Sequence, residues 1–202
     1  MSSFDGKAKS WDEVPARTER ANAVADAIRG QVALSASMTA LEYGCGTGLL
    51  SFALRAELGR IILADSSTGM LEVLRQKIAG AGITNLLPLQ LDLAVDPLPA
   101  ERFDLIFTLM TLHHIQDTEK ILGCFHALLH PGGVLCIADL DKEDGSFHAQ
   151  NTDFEGHNGF DRIELGRLLE RTGFTHIRFN TCYTMKKEVQ RYPLFLAVAE
   201  KI

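Results

Sequence analysis

Two kinds of hydrophobic spacing alternate along this chain of 202 residues. The first has the period of a helix. Ala21, Val24, Ala25 and Ile28 share one face, and Pro15 suits a first turn, where its fixed φ fits and its missing N–H is not needed, so a helix is expected over 15–29 with Gly30 closing it. The second kind is a short apolar run of strand length. Such runs occupy 39–43, 60–64, 86–91, 103–110 and 134–138, the second of them ending on Asp65. Between the runs, Thr47 is placed to cap a helix reaching Leu58 with Gly59 as its stop. Met70, Leu71, Leu74 and Ile78 define a further helix over 66–79, and 117–129 forms another that Pro131-Gly132-Gly133 stops.

The run over 103–110 is apolar almost throughout, which marks a strand covered on both faces, as in a parallel sheet with helices on each side. Asp161 and Glu164 have the spacing of a capping box, with Phe160 and Leu165 spaced as a hydrophobic staple, so a helix should run from there to Gly173. The segments 174–182 and 192–199 read as two strands joined by a short polar turn. Parallel neighbours need a crossover, so these two are expected to be antiparallel. The chain contains no internal repeat, and its length fits one compact domain.

The first strand ends in Leu41-Glu42-Tyr43-Gly44-Cys45-Gly46-Thr47-Gly48. Glycines at alternate positions between a strand and a helix describe a turn shaped around a ligand, because glycine accepts positive φ and lets a ligand approach the backbone. A dinucleotide fingerprint needs G-x-G-x-x-G. Leu49 stands at the sixth position counted from Gly44 and Ser51 counted from Gly46, so that pattern fails in both registers and weighs against a nicotinamide oxidoreductase. A carboxylate at the loop, Glu42, would repel a pyrophosphate and suit a cation instead. S-adenosylmethionine carries a sulfonium and an ammonium, and its small carboxylate can meet free N–H groups at a helix start. The segment E-x-G-x-G-x-G after a strand resembles the first motif of the class I S-adenosylmethionine-dependent methyltransferases.

That resemblance implies a Rossmann-like three-layer α/β sandwich, with a mostly parallel seven-stranded sheet and an antiparallel C-terminal strand. It implies S-adenosylmethionine as cofactor and S-adenosylhomocysteine as product. The expected organisation is an N-terminal helical lid over 1–30, a cofactor core over 39–140, an acceptor-side loop over 141–160, and a C-terminal helix with an antiparallel strand pair over 161–202. By the same resemblance, Glu42, Tyr43, Gly44, Gly46 and Gly48 surround the cofactor, Asp65 with Ser66 receives its ribose, Met70 packs on the adenine, and Asp92 between Leu91 and Leu93 receives the adenine amino group. Asp65 as a helix cap, Met70 as core and Asp92 in a surface turn are the readings that need no ligand. Thr108, Leu109 and His113 should face the sulfur and methyl. Lys9-Ser10-Trp11-Asp12-Glu13 resembles segments of small relatives that close over the cofactor, although packing of Trp11 on the sheet explains it equally well.

Methyl transfer is an in-line displacement, so positioning supplies much of the rate and a base is needed only where the acceptor carries a proton. His113 and His114, directly after the fourth strand, are the candidate bases, since imidazole titrates near neutrality. His148 and His157, with Phe147 and Phe154, are candidates to line the acceptor side. They belong to a connection of about 20 residues, long enough for a binding loop. The acids from Asp139 do not make a calcium loop, because Asp144 stands at the sixth position and Gln150 at the twelfth, so no metal is expected. No Asn-Pro-Pro-Tyr or Asp-Pro-Pro-Tyr, no Pro-Cys pair and no paired-glutamate loop is present. What remains resembles the small-molecule family that includes the ubiquinone and menaquinone C-methyltransferases (methyltransferase type 11). The similarity runs over about residues 40–140, and the extra segments of those quinone enzymes are missing, so their substrate is not carried over.

Composition narrows the partners. A formal charge of −6 argues against binding through phosphates, which needs lysine and arginine to displace counterions, and Lys186-Lys187 with Arg191 reads as a solvated turn. Cys45, Cys124, Cys136 and Cys182 have no metal-finger spacing and read as reduced thiols. No signal-type segment and no membrane-length apolar run is seen, so a cytoplasmic monomer or homodimer acting on a small-molecule acceptor is expected. A protein that binds S-adenosylmethionine without turnover is the remaining rival.

Overall fold

The computed structural model describes residues 4–150, 154–187 and 189–202. The first three residues of the expected lid and residues 151–153 of the expected acceptor-side loop therefore lie outside the described residues. Seven strands form one sheet: β1 (Thr39–Tyr43), β2 (Arg60–Asp65), β3 (Leu86–Gln90), β4 (Phe103–Leu109), β5 (Leu129–Leu140), β6 (Phe174–Lys187) and β7 (Gln190–Lys201). Their order is β3-β2-β1-β4-β5-β7-β6. β1 to β5 pair in parallel, β7 runs antiparallel to β5, and β6 runs antiparallel to β7. This is the Rossmann-like α/β sandwich that the resemblance implies.

The period-two alternation of the strands sends their side chains to two separate cores. Ala40, Ile61, Leu63, Leu105 and Phe107 pack with helices α1 (Pro15–Arg29), α2 (Leu49–Leu54) and α3 (Thr68–Ala81) on one face. Leu41, Tyr43, Ile62, Ile106 and Ile137 pack with α4 (Thr118–Leu128) and α5 (Arg162–Arg171) on the other. β1, β2, β4 and β5 thus reach the ligand edge buried on both sides, which fixes their register, while the edge strand β3 leaves Leu87 and Leu89 exposed.

Several boundaries differ from the sequence expectation for identifiable reasons. α2 begins after Gly48 and ends at Leu54; Gly48 rather than Thr47 is at the cap position, and the Thr47 hydroxyl donates to Asp12 Oδ1 at 2.5 Å. α3 begins two residues late, with Ser67 Oγ accepting the Met70 N–H. β5 starts at Leu129, and Pro131-Gly132-Gly133 lies within it as an irregular stretch where the register with β4 shifts between Phe103 and Leu105. β6 and β7 extend well past Cys182 and before Tyr192, pairing out to Lys187 and Gln190. Polar residues conceal that extension. The expected solvated turn is a hairpin end, where Lys187 Nζ donates to Phe147 O at 2.6 Å and lies 3.7 Å from the centre of the Phe147 ring. The capping box is present, with Asp161 Oδ1 accepting from Ile163 and Glu164 N–H.

Phe125 of α4 is fully buried and meets the Tyr43 ring edge-on at 5.4 Å. Phe125→Ala should lower unfolding free energy by about 3–5 kcal/mol in urea titrations, and a loss near zero would mean that this face is not packed as described.

Candidate active site

The carboxyl ends of β1 to β5 share one edge of the sheet, and the residues of interest all follow these ends. After β1 the chain bends through Gly44, Gly46 and Gly48 at φ of 71°, 53° and 80°. At Gly44 a Cβ would fall 2.2 Å from Thr111, so the loop packs directly on the segment after β4. At Gly46 a Cβ would meet only Met70 Sδ, at 3.9 Å. At Gly48 a Cβ would fall 2.7 Å from Leu74, so the loop is closed against the protein at Gly44 and Gly48 and open at Gly46, which leaves room for a ligand there.

Asp65 holds this bend. Its Oδ2 accepts the Gly46 N–H at 2.7 Å and its Oδ1 the Ser67 N–H at 2.8 Å, tying the glycine loop to the start of α3. Burial raises its pKa, against the opposing effect of these two N–H groups. Each oxygen keeps a lone pair for a hydroxyl donor. Ser66 is exposed beside it, and Met70 is buried against the open glycine.

Glu42 requires a correction. Side chains alternate along β1, so Glu42 points with Ala40 toward α2 rather than out of the loop, and only 2% of it is exposed. Its Oε2 accepts the Ser51 N–H at 3.2 Å and a very short bond from Ser51 Oγ. Burial pushes its pKa up to about 8 despite those bonds. At neutral pH it is mostly protonated and anchors α2, so it does not present the anionic surface expected of it.

Tyr43 and the residues after β3 are bound up in local structure. Tyr43 OH accepts the Leu93 N–H at 3.1 Å, which fixes the segment after β3. Asp92 Oδ1 accepts the Ala94 N–H at 2.9 Å while its own N–H donates to Asp96 Oδ2, closing a turn; Leu91 and Leu93 on either side are buried.

The N-terminal segment crosses this edge. Residues Asp5–Glu13 form one stretch of 3-10 helix. Asp5 Oδ1 accepts from Ser67 Oγ at 2.6 Å and from the Gly69 N–H at 3.0 Å. Asp12 accepts from Thr47 Oγ1 and from Lys77 Nζ, and Lys77 Nζ also donates to Thr47 O at 2.8 Å. Trp11 packs under the Arg17 guanidinium at 3.8 Å and edge-on to Phe4. Phe4 in turn meets His114. Asp5, Lys77 and Thr111 were not legible in the sequence, since their partners are far away along the chain and follow no motif, and Asp12 was marked only as part of the segment 9–13.

Past β4, Thr108 is buried with its Oγ1 unpartnered among the described residues, and Leu109 is half-buried. Met110 adopts φ 55°, a left-handed conformation that a methionine rarely takes, where the chain leaves the sheet. A short 3-10 turn then carries Leu112–His114. His113 is fully buried. Its Nδ1 lies 2.6 Å from Asp139 Oδ1 on β5, and Asp139 Oδ2 accepts its backbone N–H at 3.2 Å. Burial raises the pKa of Asp139, but the His113 ring and the N–H groups of Leu140 and His113 outweigh that and lower it overall, so the carboxylate is ionised. Asp139 then fixes the imidazole tautomer with Nδ1–H as donor and the Nε2 lone pair directed away.

His114 and His148 gather around this ring, with centroids 4.1 Å and 5.2 Å from it. Burial first, and the neighbouring rings second, lower His114 to about 3 and His148 to about 4, so both are neutral. His148 stacks on Phe154 at 3.7 Å. His157 does not join them. Its Nε2 lies 2.9 Å from Ile115 O and 3.1 Å from Thr118 Oγ1, where it secures the chain entering α4, and its backbone N–H donates to His113 O at 2.7 Å. The adjacent His113 and His114 lie ring to ring on the one 3-10 turn.

Comparison with known proteins identifies the class. Residues 16–178 match the family model described as a methyltransferase domain. The chain is 30% identical over 175 residues to an uncharacterized methyltransferase of Geobacillus kaustophilus, covering 86% of this chain and 77% of that protein. It is 31% identical over 122 residues to a ubiquinone/menaquinone biosynthesis C-methyltransferase of Pseudoalteromonas translucida, covering 58% of this chain but only 49%, about half, of that protein. A phosphoethanolamine N-methyltransferase of Haemonchus contortus, solved with phosphomonomethylethanolamine and S-adenosylhomocysteine, shares the fold at a TM-score of 0.72 and 16% identity, covering 87% of this chain and 51% of that one. The chain belongs to the methyltransferase domain family, and its cofactor is S-adenosylmethionine. The open face of the glycine loop beside Met70 fits that group.

The Glu42 shift has a measurable consequence. In the unfolded chain this carboxyl ionises near 4.5, whereas the folded protein keeps its proton up to about 8, so its burial costs more stability as pH rises through that window. Glu42→Gln should gain stability relative to the parent, on the order of a few kcal/mol, between pH 5 and pH 8 in urea titrations. A difference that stays constant with pH contradicts the assignment.

Proposed function

We propose that this chain transfers the methyl group of S-adenosylmethionine to a small-molecule acceptor lodged between the end of β4 and the His113 cluster. The observation that carries this reading is the shared edge: the open bend at Gly46 and the buried His113–Asp139 pair are joined through Thr111, which packs on Gly44. When bound, S-adenosylmethionine supplies a sulfonium methyl that is displaced in line, leaving the thioether S-adenosylhomocysteine. Gly44, Gly46, Gly48, Asp65, Ser66 and Met70 would hold the cofactor, with Leu91, Asp92 and Leu93 at the adenine side. Thr108 and Leu109 would face its sulfur. His113, held by Asp139, presents its Nε2 lone pair to the acceptor, and His114 and His148 bound the same space.

Residues Asp5–Glu13 and the turn that carries His148 lie at this edge from two sides, which favours a small acceptor over a polymer and supports a lid role for the N-terminal segment. The −6 charge agrees in disfavouring nucleic acid. The four cysteines are free thiols, as suits a cytoplasmic protein, and no helix among the described residues is long and apolar enough to cross a membrane. The names of the half-covered relatives do not identify the acceptor here.

Asp65→Ala should weaken S-adenosylhomocysteine binding at least about tenfold by calorimetry, since it removes both the loop clamp and a hydroxyl acceptor. His113→Ala should leave that affinity intact and lower kcat at least about tenfold on any acceptor that a panel of hydroxyl, amine and thiol compounds identifies. An Asp65 variant with parental affinity, or a His113 variant with parental kcat, would remove the residue from the mechanism.

A further inference from the structure

The lone pair on His113 is not alone. One ring nitrogen from each of His113, His114 and His148 lies within 4.8 Å of the others. His113 Nε2 and His148 Nδ1 are both buried and both without a hydrogen-bond partner among the described residues. Buried acceptors are ordinarily satisfied, so two orphaned nitrogens in one cluster call for a common partner. We propose that His113, His114 and His148 bind a divalent transition metal of the zinc type. This goes beyond the methyl-transfer reading and does not depend on cofactor binding, although a bound ion would take up the same Nε2 lone pair, so that His113 would act as a base only in the metal-free protein.

The donor set decides the ion. Calcium and magnesium take oxygen ligands, whereas uncharged imidazoles suit zinc and its first-row neighbours. Three protein nitrogens leave the fourth tetrahedral position open, the arrangement of zinc sites that also take water or a substrate atom. Asp139 completes the case from the far side of His113. Its carboxylate at 2.6 Å from Nδ1 fixes the tautomer that leaves Nε2 free to coordinate, as the carboxylate partners of metal-binding histidines do. The stack on Phe154 holds the His148 ring, at 7° between planes.

Zinc–nitrogen bonds of about 2.0–2.1 Å place tetrahedral donors roughly 3.3 Å apart, so the rings must draw together on binding. Spacing along the sequence gives no hint of this site. Two ligands come from the turn after β4 and the third from the turn after β5, so the tertiary structure alone assembles them.

The test uses the full chain without a purification tag, stripped with a chelator and titrated with Co²⁺ and with Zn²⁺. About one equivalent of each should bind, and cobalt should give the visible absorption of a four-coordinate ion. His114→Ala and His148→Ala, both at partly exposed positions, should each weaken binding at least about tenfold, and Asp139→Asn about 10–100-fold. Binding of less than about a tenth of an equivalent by the parent protein, or parental affinity in both histidine variants, would overturn the proposal. Calorimetry with S-adenosylhomocysteine on the same samples separates the two readings. Metal binding with no response to that ligand would sink the methyl-transfer function alone, and the reverse would sink the metal site alone.

Discussion

The edge proposed to hold the cofactor rests on the Asp65 carboxylate, which receives one N–H from the glycine bend and another from the start of α3. Three consecutive alternate residues at positive φ make a flexible bend, and flexibility alone does not make a binding surface. Clamping Gly46 to the end of β2 turns that bend into a fixed cradle. Thr111 fills its far side at Gly44, so the cradle is also tied to the chain leaving β4, where the histidines begin. The glycine bend and the histidine-bearing turn are thus joined at one edge.

Two buried carboxylates, on β1 and β5 either side of β4, show how partners rather than burial decide the charge. Glu42 and Asp139 are both essentially inaccessible. Glu42 meets a hydroxyl and one N–H, which do not offset desolvation, and it stays protonated to about pH 8. Asp139 meets an imidazole and two backbone N–H groups and remains ionised. The first serves as an uncharged brace for α2. The second orients His113 and keeps its outer nitrogen available.

Much of the fold was legible because it depends on local periodicity. The apolar runs of β1 to β4 and the faces of α1 and α3 appear directly in the spacing, and the glycine bend pointed to the family. β5 was read short because Pro131-Gly132-Gly133 looks like a terminator, although the strand absorbs it as an irregularity. β6 was read short because its outward face is half-exposed and polar. In the site, residue types were readable but directions were not. Glu42 was expected to face the ligand, and the parity of β1 turns it inward. His157 was expected beside the other histidines, and backbone carbonyls after β4 engage it instead. Asp139 appeared as the first of a run of acids, with nothing local to mark it as the residue that faces His113.

The most direct measurement of the central claim is calorimetric titration with S-adenosylhomocysteine of the parent protein and of Gly46→Val, which places a branched side chain at φ 53° on the open face of the cradle. The account predicts saturable binding at one site in the parent and none in the variant, with the sheet still folded by circular dichroism. No heat from the parent, or undiminished affinity in the variant, would contradict it.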